Sequence, residues 1–140
     1  SRKTSSALKA PASHGKPENI HAFLQAPFLD DFNIGFHDIG FVYIPDLCKN
    51  LSTNAFSGCK LMINFHGCGG TGPMGPDDLE VRYAESNGIV LMRPNIKKDN
   101  NVSQTYTNAY EIARGCWDGY GQLTEDYALQ SAPHMRNIWR

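Results

Sequence analysis

The chain has 140 residues, room for one modest domain, and its 41% hydrophobic and 19% charged content is a globular balance. A net charge of −1 gives no basic footprint for nucleic acid or for an anionic membrane surface. No run of eighteen apolar residues occurs, so no membrane span is expected.

Residues 1–20, beginning "SRKTSSALKAPASHGKP", are polar and basic without an apolar core or apolar periodicity. They do not have the form of a signal peptide and are expected to be a flexible lead-in. His14 falls there, without the rigid frame that a catalytic group needs. Residues 21–40 are apolar but irregular, which predicts a loop with a short packed turn. Residues 41–45, "FVYIP", are β-branched and aromatic and predict a strand stopped by Pro45. A polar connection over 46–59 follows. "KLMINF", residues 60–65, predicts a second strand.

Residues 77–88 predict a helix, with Asp77 or Asp78 near its cap, Leu79, Tyr83 and Ala84 on one face, and Gly88 as a left-handed stop. "IVLMRP", residues 89–94, is apolar almost throughout and predicts a strand buried on both faces. Strand, helix and strand within about thirty residues predict a right-handed parallel crossover. Residues 95–114 read as a polar loop and 115–122 as a turn-rich aromatic segment. Residues 131–140 predict a last helix with Ser131 as cap and an early proline.

These elements predict an α/β fold with a partial, mostly parallel sheet and flanking helices over residues 21–140. Three strands and two helices close no parallel sheet by themselves. The sheet is therefore expected to be completed by another chain.

The four cysteines, at 48, 59, 68 and 116, are even in number and lack a C-x-x-C pair. This pattern favours two disulfides over a metal site, and four cysteines allow three pairings. Cys48 with Cys59 is preferred, because the bridge would pin the ends of a hairpin. Two sequons, at Asn50 and Asn101, lie in polar segments and offer glycan acceptors. Cysteines and sequons together point to a secreted, extracellular or lumenal protein, with secretory granules included.

The chemistry concentrates in His66-Gly67-Cys68-Gly69-Gly70, directly after the second strand. Sites in open α/β sheets form past the carboxyl ends of strands. Glycines there free the backbone to turn and let a substrate approach main-chain N–H groups. Such an amide can stabilise the oxyanion of an acyl-transfer intermediate, and losing one donor costs roughly 3–4 kcal/mol of barrier. His66 would then be a hydrogen-bonded hinge. Two other readings stay open: a glycine-rich turn stapled by a disulfide, and a Cys68 nucleophile served by His66. An oxidised Cys68, with Cys116 available as a partner, weighs against the last. No G-x-S-x-G is present. Its nearest match, Ala84 to Gly88, passes from helix to strand, whereas a nucleophile elbow passes from strand to helix. The sequence thus holds half of a hydrolase site. Acyl transfer of this kind needs no metal and no organic cofactor.

Five segments in order, "GFVYIPDLC", "CKLMINFHGC", "YAESNGIVLMRPN", "RGCWDGYG" and "YALQSAPHM", resemble the C-terminal half of extracellular poly(3-hydroxybutyrate) depolymerase-like esterases. The resemblance covers residues 35–136. The preceding segment from Phe23 is similar, more weakly, to the family's F-D-Q-x-x-F lead-in. The resemblance implies a circularly permuted α/β-hydrolase in which the Ser, Asp and His precede the region matched here. It implies an oxyanion role for the Cys68 backbone amide and a polymer-ester cleft lined by Trp117, with Gly67 and Gly69 beside it. It also implies a Cys68–Cys116 bridge.

The missing nucleophile then implies an N-terminal companion chain that carries the triad, in a two-chain, proteolytically processed protein. Basic Arg2, Lys3 and Arg140 would suit such processing. The chain departs from the family pattern at Gly69-Gly70, Tyr83, Arg93-Pro94-Asn95 and Gly119, changes that touch the cleft more than the frame. A relative without turnover, kept for binding or assembly in an extracellular matrix or granule, is the alternative.

Overall fold

The structure, a computed structural model, describes residues 7–30, 35–49, 58–70, 72–99 and 110–139. The sequons at Asn50 and Asn101, and the basic residues Arg2, Lys3 and Arg140, lie outside the described residues. The strands are β1 (Ile20–Leu24), β2 (Ile39–Tyr43), β3 (Lys60–Ile63) and β4 (Ile89–Arg93). The helices are α1 (Asp46–Lys49), α2 (Leu79–Asn87), α3 (Tyr110–Ala113) and α4 (Pro133–Ile138). The four strands form one sheet in the order β1-β2-β4-β3.

The sheet is mixed, not mostly parallel as expected from the sequence. β3 and β4 pair in parallel, with Lys60 opposite Ile89 and Ile63 opposite Met92. β1 runs antiparallel to β2: Ile44 N–H donates to Asn19 O at 3.0 Å and Gln25 N–H to Asp38 O at 2.9 Å. The sequence expectation missed β1 because "IHAFL" has no alternation of its own, and its ladder comes from a partner that lies later in the chain.

The chain packs as two units, the first from Ser1–His21, Val42–Ile63 and Met74–Met92, the second from Ala22–Phe41, Asn64–Pro73 and Arg93–Arg140. In the first, Tyr43, Val81, Ala84 and Leu91 form the core. α2 buries Val81 and Ala84; Ala84 lies on the expected face, but Leu79 of that face, in the first turn, is 59% exposed. Gly88 ends α2 at φ 61°, ψ 47°, the expected left-handed stop. Asp78 is the N-cap residue, but its carboxylate turns back to accept Gly75 N–H at 3.1 Å and leaves the first turn uncapped.

Residues 9–16 fall within the stretch expected from composition to be a flexible lead-in. They run antiparallel along α2. Lys9 N–H donates to Asn87 Oδ1 at 2.7 Å, Ala12 and Arg82 exchange bonds of 3.0 and 2.7 Å, and Gly15 N–H donates to Pro76 O at 2.7 Å. A Cβ at Gly15 would sit 2.4 Å from Val81 Cγ1, so only glycine lets the segment lie this close. His14 pairs with Asp77 at 2.7 Å in the same ladder.

Buried Asn19 ties this region to α1. Its side-chain amide donates to Asp46 at 2.9 Å and its carbonyl accepts from the Lys49 ammonium. Lys16 also pairs with Asp46. Three donors around one carboxylate, Lys16 foremost, hold Asp46 well below the usual carboxylate range. The buried Tyr43 hydroxyl accepts Lys16 N–H at 3.1 Å and donates to Glu85, and burial with that bond pushes it up to about 12.

In the second unit Phe36, Ile96, Ile112, Cys116, Leu123 and Ala132 make the core. An antiparallel bridge joins Phe36 to Ile96. α3 lies within the stretch expected to be loop. α4 opens on Pro133 with Ala132, not Ser131, at the cap, because the Ser131 hydroxyl is drawn to Asp126 at 2.7 Å. Among the described residues no helix is long and apolar enough to cross a membrane.

Candidate functional site

β3 ends at Ile63 and releases the glycine-rich loop. Cys68 is bridged to Cys116, and Cys48 to Cys59. Gly69 N–H donates to Gly115 O at 3.0 Å, beside the first of these bridges. Gly70 has φ 84°, and a Cβ there would lie 2.9 Å from Ile96 O. At Gly115, φ 78°, a Cβ would meet the Lys97–Lys98 peptide at 3.1 Å. Bare backbone is thus required at two points where three chain segments close together.

His66 is the clasp of this arrangement. Its Nε2 receives Ile96 N–H at 3.0 Å, so that nitrogen must be the acceptor. The ring proton therefore sits on Nδ1, which donates to Gly67 O at 2.5 Å. Burial lowers the His66 pKa. Both ring nitrogens are engaged and Cys68 is oxidised, so a Cys68–His66 nucleophile pair does not exist in this state.

Trp117 stands among four rings. Its centroid lies 4.8 Å from Phe65, 5.4 Å from His134, 5.6 Å from His66 and 5.7 Å from Phe36. The Phe65, His134 and Phe36 contacts are edge-to-face, the arrangement favoured by ring quadrupoles. The indole Nε1 is buried without a hydrogen-bond partner among the described residues. The next residue is wholly structural. Asp118 N–H donates to His134 Nδ1 at 3.0 Å, and its carboxylate accepts N–H groups from Gly121, Gln122 and Leu123 at 2.8–3.0 Å.

A cleft of about 320 Å³ opens beside the loop, lined by His37, Gly69, Gly70, Asn95, Lys97 and Lys98 among others. Gly69, singled out in the sequence, lines it. Gly67, Cys68 and Trp117 are not among its lining residues. Gly67 and Cys68 are exposed, and no acceptor takes the Cys68 amide proton among the described residues.

The cleft walls are held by Gln25, which is 3% exposed. Its Nε2 donates to His37 O at 2.5 Å and Asn95 O at 2.8 Å, and its Oε1 accepts Asn95 N–H at 2.9 Å. The side chain acts as an extra length of strand between two walls. A second cavity, of about 380 Å³, lies at the start of β3 and β4 beside Lys60 and Ile89. It is larger, but sites in such sheets form at the other end of the strands.

His37, Lys97 and Lys98 escaped the sequence reading, whereas Asn95 entered it as a departure from the family pattern that touches the cleft. The only cue was the paired lysines following the third predicted strand. Among the described residues no group of three or more His, Cys, Asp or Glu side chains could hold a metal ion.

No family model and no curated protein sequence matches the chain. Two solved structures do. A PHB depolymerase variant complexed with an R3HB trimer superposes with a TM-score of 0.68 at 20% identity, over 94% of this chain and 42% of that one. The PHB depolymerase of Penicillium funiculosum gives 0.62 at 19% identity with the same coverages. The fold is depolymerase-like. This chain spans less than half the length of either enzyme.

Proposed function

We propose that this chain is the C-terminal portion of a secreted, proteolytically processed carboxyl-ester hydrolase of the depolymerase type. The Cys68 amide serves as an oxyanion donor, and Gly67, Gly69 and Trp117 belong to the wall of a substrate cleft that the companion chain completes, of which the cleft of about 320 Å³ beside Gly69 is one part. A companion chain carries the Ser, Asp and His. The reaction is acyl transfer to that serine followed by attack of water.

The observation that carries this reading is a depolymerase-like fold over 94% of the chain that accounts for only 42% of the enzyme, in a sequence without a nucleophile elbow. The edge of the sheet adds support. Successive strand residues face opposite sides, yet Leu61 is 61% and Met62 is 46% exposed on edge strand β3. A strand parallel to its neighbour is ordinarily covered on both faces, so β3 has the exposure of a strand whose sheet continues. Two disulfides suit an oxidising compartment.

The test is hydrolysis of a p-nitrophenyl ester by native, disulfide-intact material, with non-reducing mass spectrometry to reveal a companion chain. Turnover abolished by a serine-directed phosphonate is expected. Turnover untouched by the phosphonate overturns the serine mechanism. No turnover with the companion present favours the depolymerase-like binding or structural protein.

A further inference from the structure

We propose that the cleft beside Gly69 and Gly70 binds a small carboxylate anion, so that the substrate class is an ester carrying a free carboxylate at its acid end. The word ester rests on the hydrolase reading above; carboxylate capture is a property of the cleft alone.

Among the described residues, free donors outnumber free acceptors around this cleft. His37 Nδ1 receives Ile39 N–H at 3.1 Å. Its proton in the neutral ring is therefore on Nε2, and Nε2 is a donor in either charge state. No described residue accepts from it. Gly69 N–H is engaged with Gly115, but Gly70 N–H has no acceptor among the described residues. The Asn95 carbonyl is already occupied by His37 N–H at 2.9 Å and by Gln25. Among the described residues no lining residue is acidic. The walls thus present N–H groups and ammonium groups with little to accept from them, and a ligand that completes the site must be rich in acceptors and negative.

Charge then selects among anions. Lys97 is balanced by Asp38 at 3.7 Å. Lys98 has no ion pair among the described residues. One unbalanced ammonium matches a monoanion better than a doubly charged phosphate. A carboxylate also offers two oxygens in a fixed plane, suited to an imidazole N–H and a main-chain N–H. The volume of about 320 Å³ is small for a ligand pocket and fits a short acid rather than a long polymer segment. Neither lysine belongs to the motifs that carry the depolymerase resemblance.

The experiment is a titration of the native protein, disulfides intact and any companion chain present, with this chain isotope-labelled, using 3-hydroxybutyrate, its methyl ester and inorganic phosphate. The Gly70 amide and the His37 ring are followed by NMR. The acid is expected to shift both saturably, the neutral ester to leave them in place, and phosphate to bind more weakly. Lys98→Gln is expected to weaken acid binding about fivefold, the size of an exposed charge contact. Lys98 is exposed, and an unchanged Asp118 amide resonance would show that the variant is folded. Equal shifts with the methyl ester, tighter binding of phosphate, absence of a saturable shift, or undiminished affinity in Lys98→Gln would each overturn the proposal. Turnover is not read here. Acid capture without ester hydrolysis leaves the carboxylate site standing and removes the enzyme reading; hydrolysis without acid capture does the reverse.

Discussion

Two regions of this molecule are built from the same parts, a disulfide beside a left-handed glycine, and are put to opposite uses. At Gly88, a Cβ would lie 3.9 Å from Cys59 Sγ and 4.0 Å from Cys48 Sγ. There Gly88 N–H closes α2 on Ala84 O, and Gly88 O accepts Lys60 N–H at 3.1 Å. Every main-chain group of that glycine is used internally. At Gly69 and Gly70 the bridge to Cys116 holds a loop whose amides are only partly engaged, against a cleft lined with cations. Glycine and cysteine together do not mark a site. The imbalance of donors over acceptors does.

The sharpest way to break this comparison is to remove each bridge in turn. The Cys68–Cys116 link closes 48 residues and Cys48–Cys59 closes 11. On loop-closure entropy the former is worth about 4 kcal/mol and the latter about 3 kcal/mol. Chemical denaturation of the two paired Cys→Ser variants should order them this way. Loss of the first should also abolish saturable acid shifts at Gly70, while loss of the second should leave them. Equal effects on acid binding would mean that the two regions are not functionally distinct.

Glycine replacement makes a smaller, more local break. Gly70→Ala adds a Cβ 2.9 Å from a backbone oxygen at φ 84°, whereas Gly88→Ala meets ordinary contacts at φ 61°. A left-handed alanine alone costs about 1 kcal/mol, so Gly88→Ala should lose that much. Gly70→Ala should lose roughly 2–3 kcal/mol, because backbone at 2.9 Å must move. Melting curves of the two variants measure the difference. A Gly70→Ala loss no larger than that of Gly88→Ala would show that the close approach at Ile96 is not required.

The contrast also explains what could be read from the sequence. β3, α2, β4 and the Gly88 stop follow from local periodicity and backbone chemistry, and the structure has them. The Cys68–Cys116 bridge, implied by resemblance, is present as well. What escaped is non-local. β1 exists by pairing with β2. Residues 9–16 lack apolar periodicity because their ladder along α2 is polar, through Asn87, Arg82 and Pro76. The cleft joins His37 to Lys97 and Lys98 across some sixty positions, through the Phe36–Ile96 bridge and the Gln25 side chain. No spacing rule connects residues that far apart. The strand end and its glycines announced where chemistry could occur, but not which side chains would surround it.

The finest distinction between the two regions is their response to acid. Around Asp46 the native state holds a carboxylate low, so its contribution persists until pH falls below the ordinary carboxylate range. At the glycine loop the controlling group is His66, whose pKa is lowered. The unfolded chain takes up that proton near pH 6.5, an ordinary histidine value. The native ring resists it, because protonation turns Nε2 from acceptor to donor and opposes Ile96 N–H. Below about pH 6.5 the unfolded state therefore binds more protons, and stability must fall as pH falls. Denaturation at pH 7.5 and pH 5 should show this loss, and His66→Gln should shrink it while Asp46→Asn leaves it unchanged over that interval. His66 is only partly buried, so solvent screens the effect and makes it the smallest of the three. A pH 5 loss identical in His66→Gln would place the acid-sensitive clasp elsewhere and remove the histidine from its assigned role at the loop.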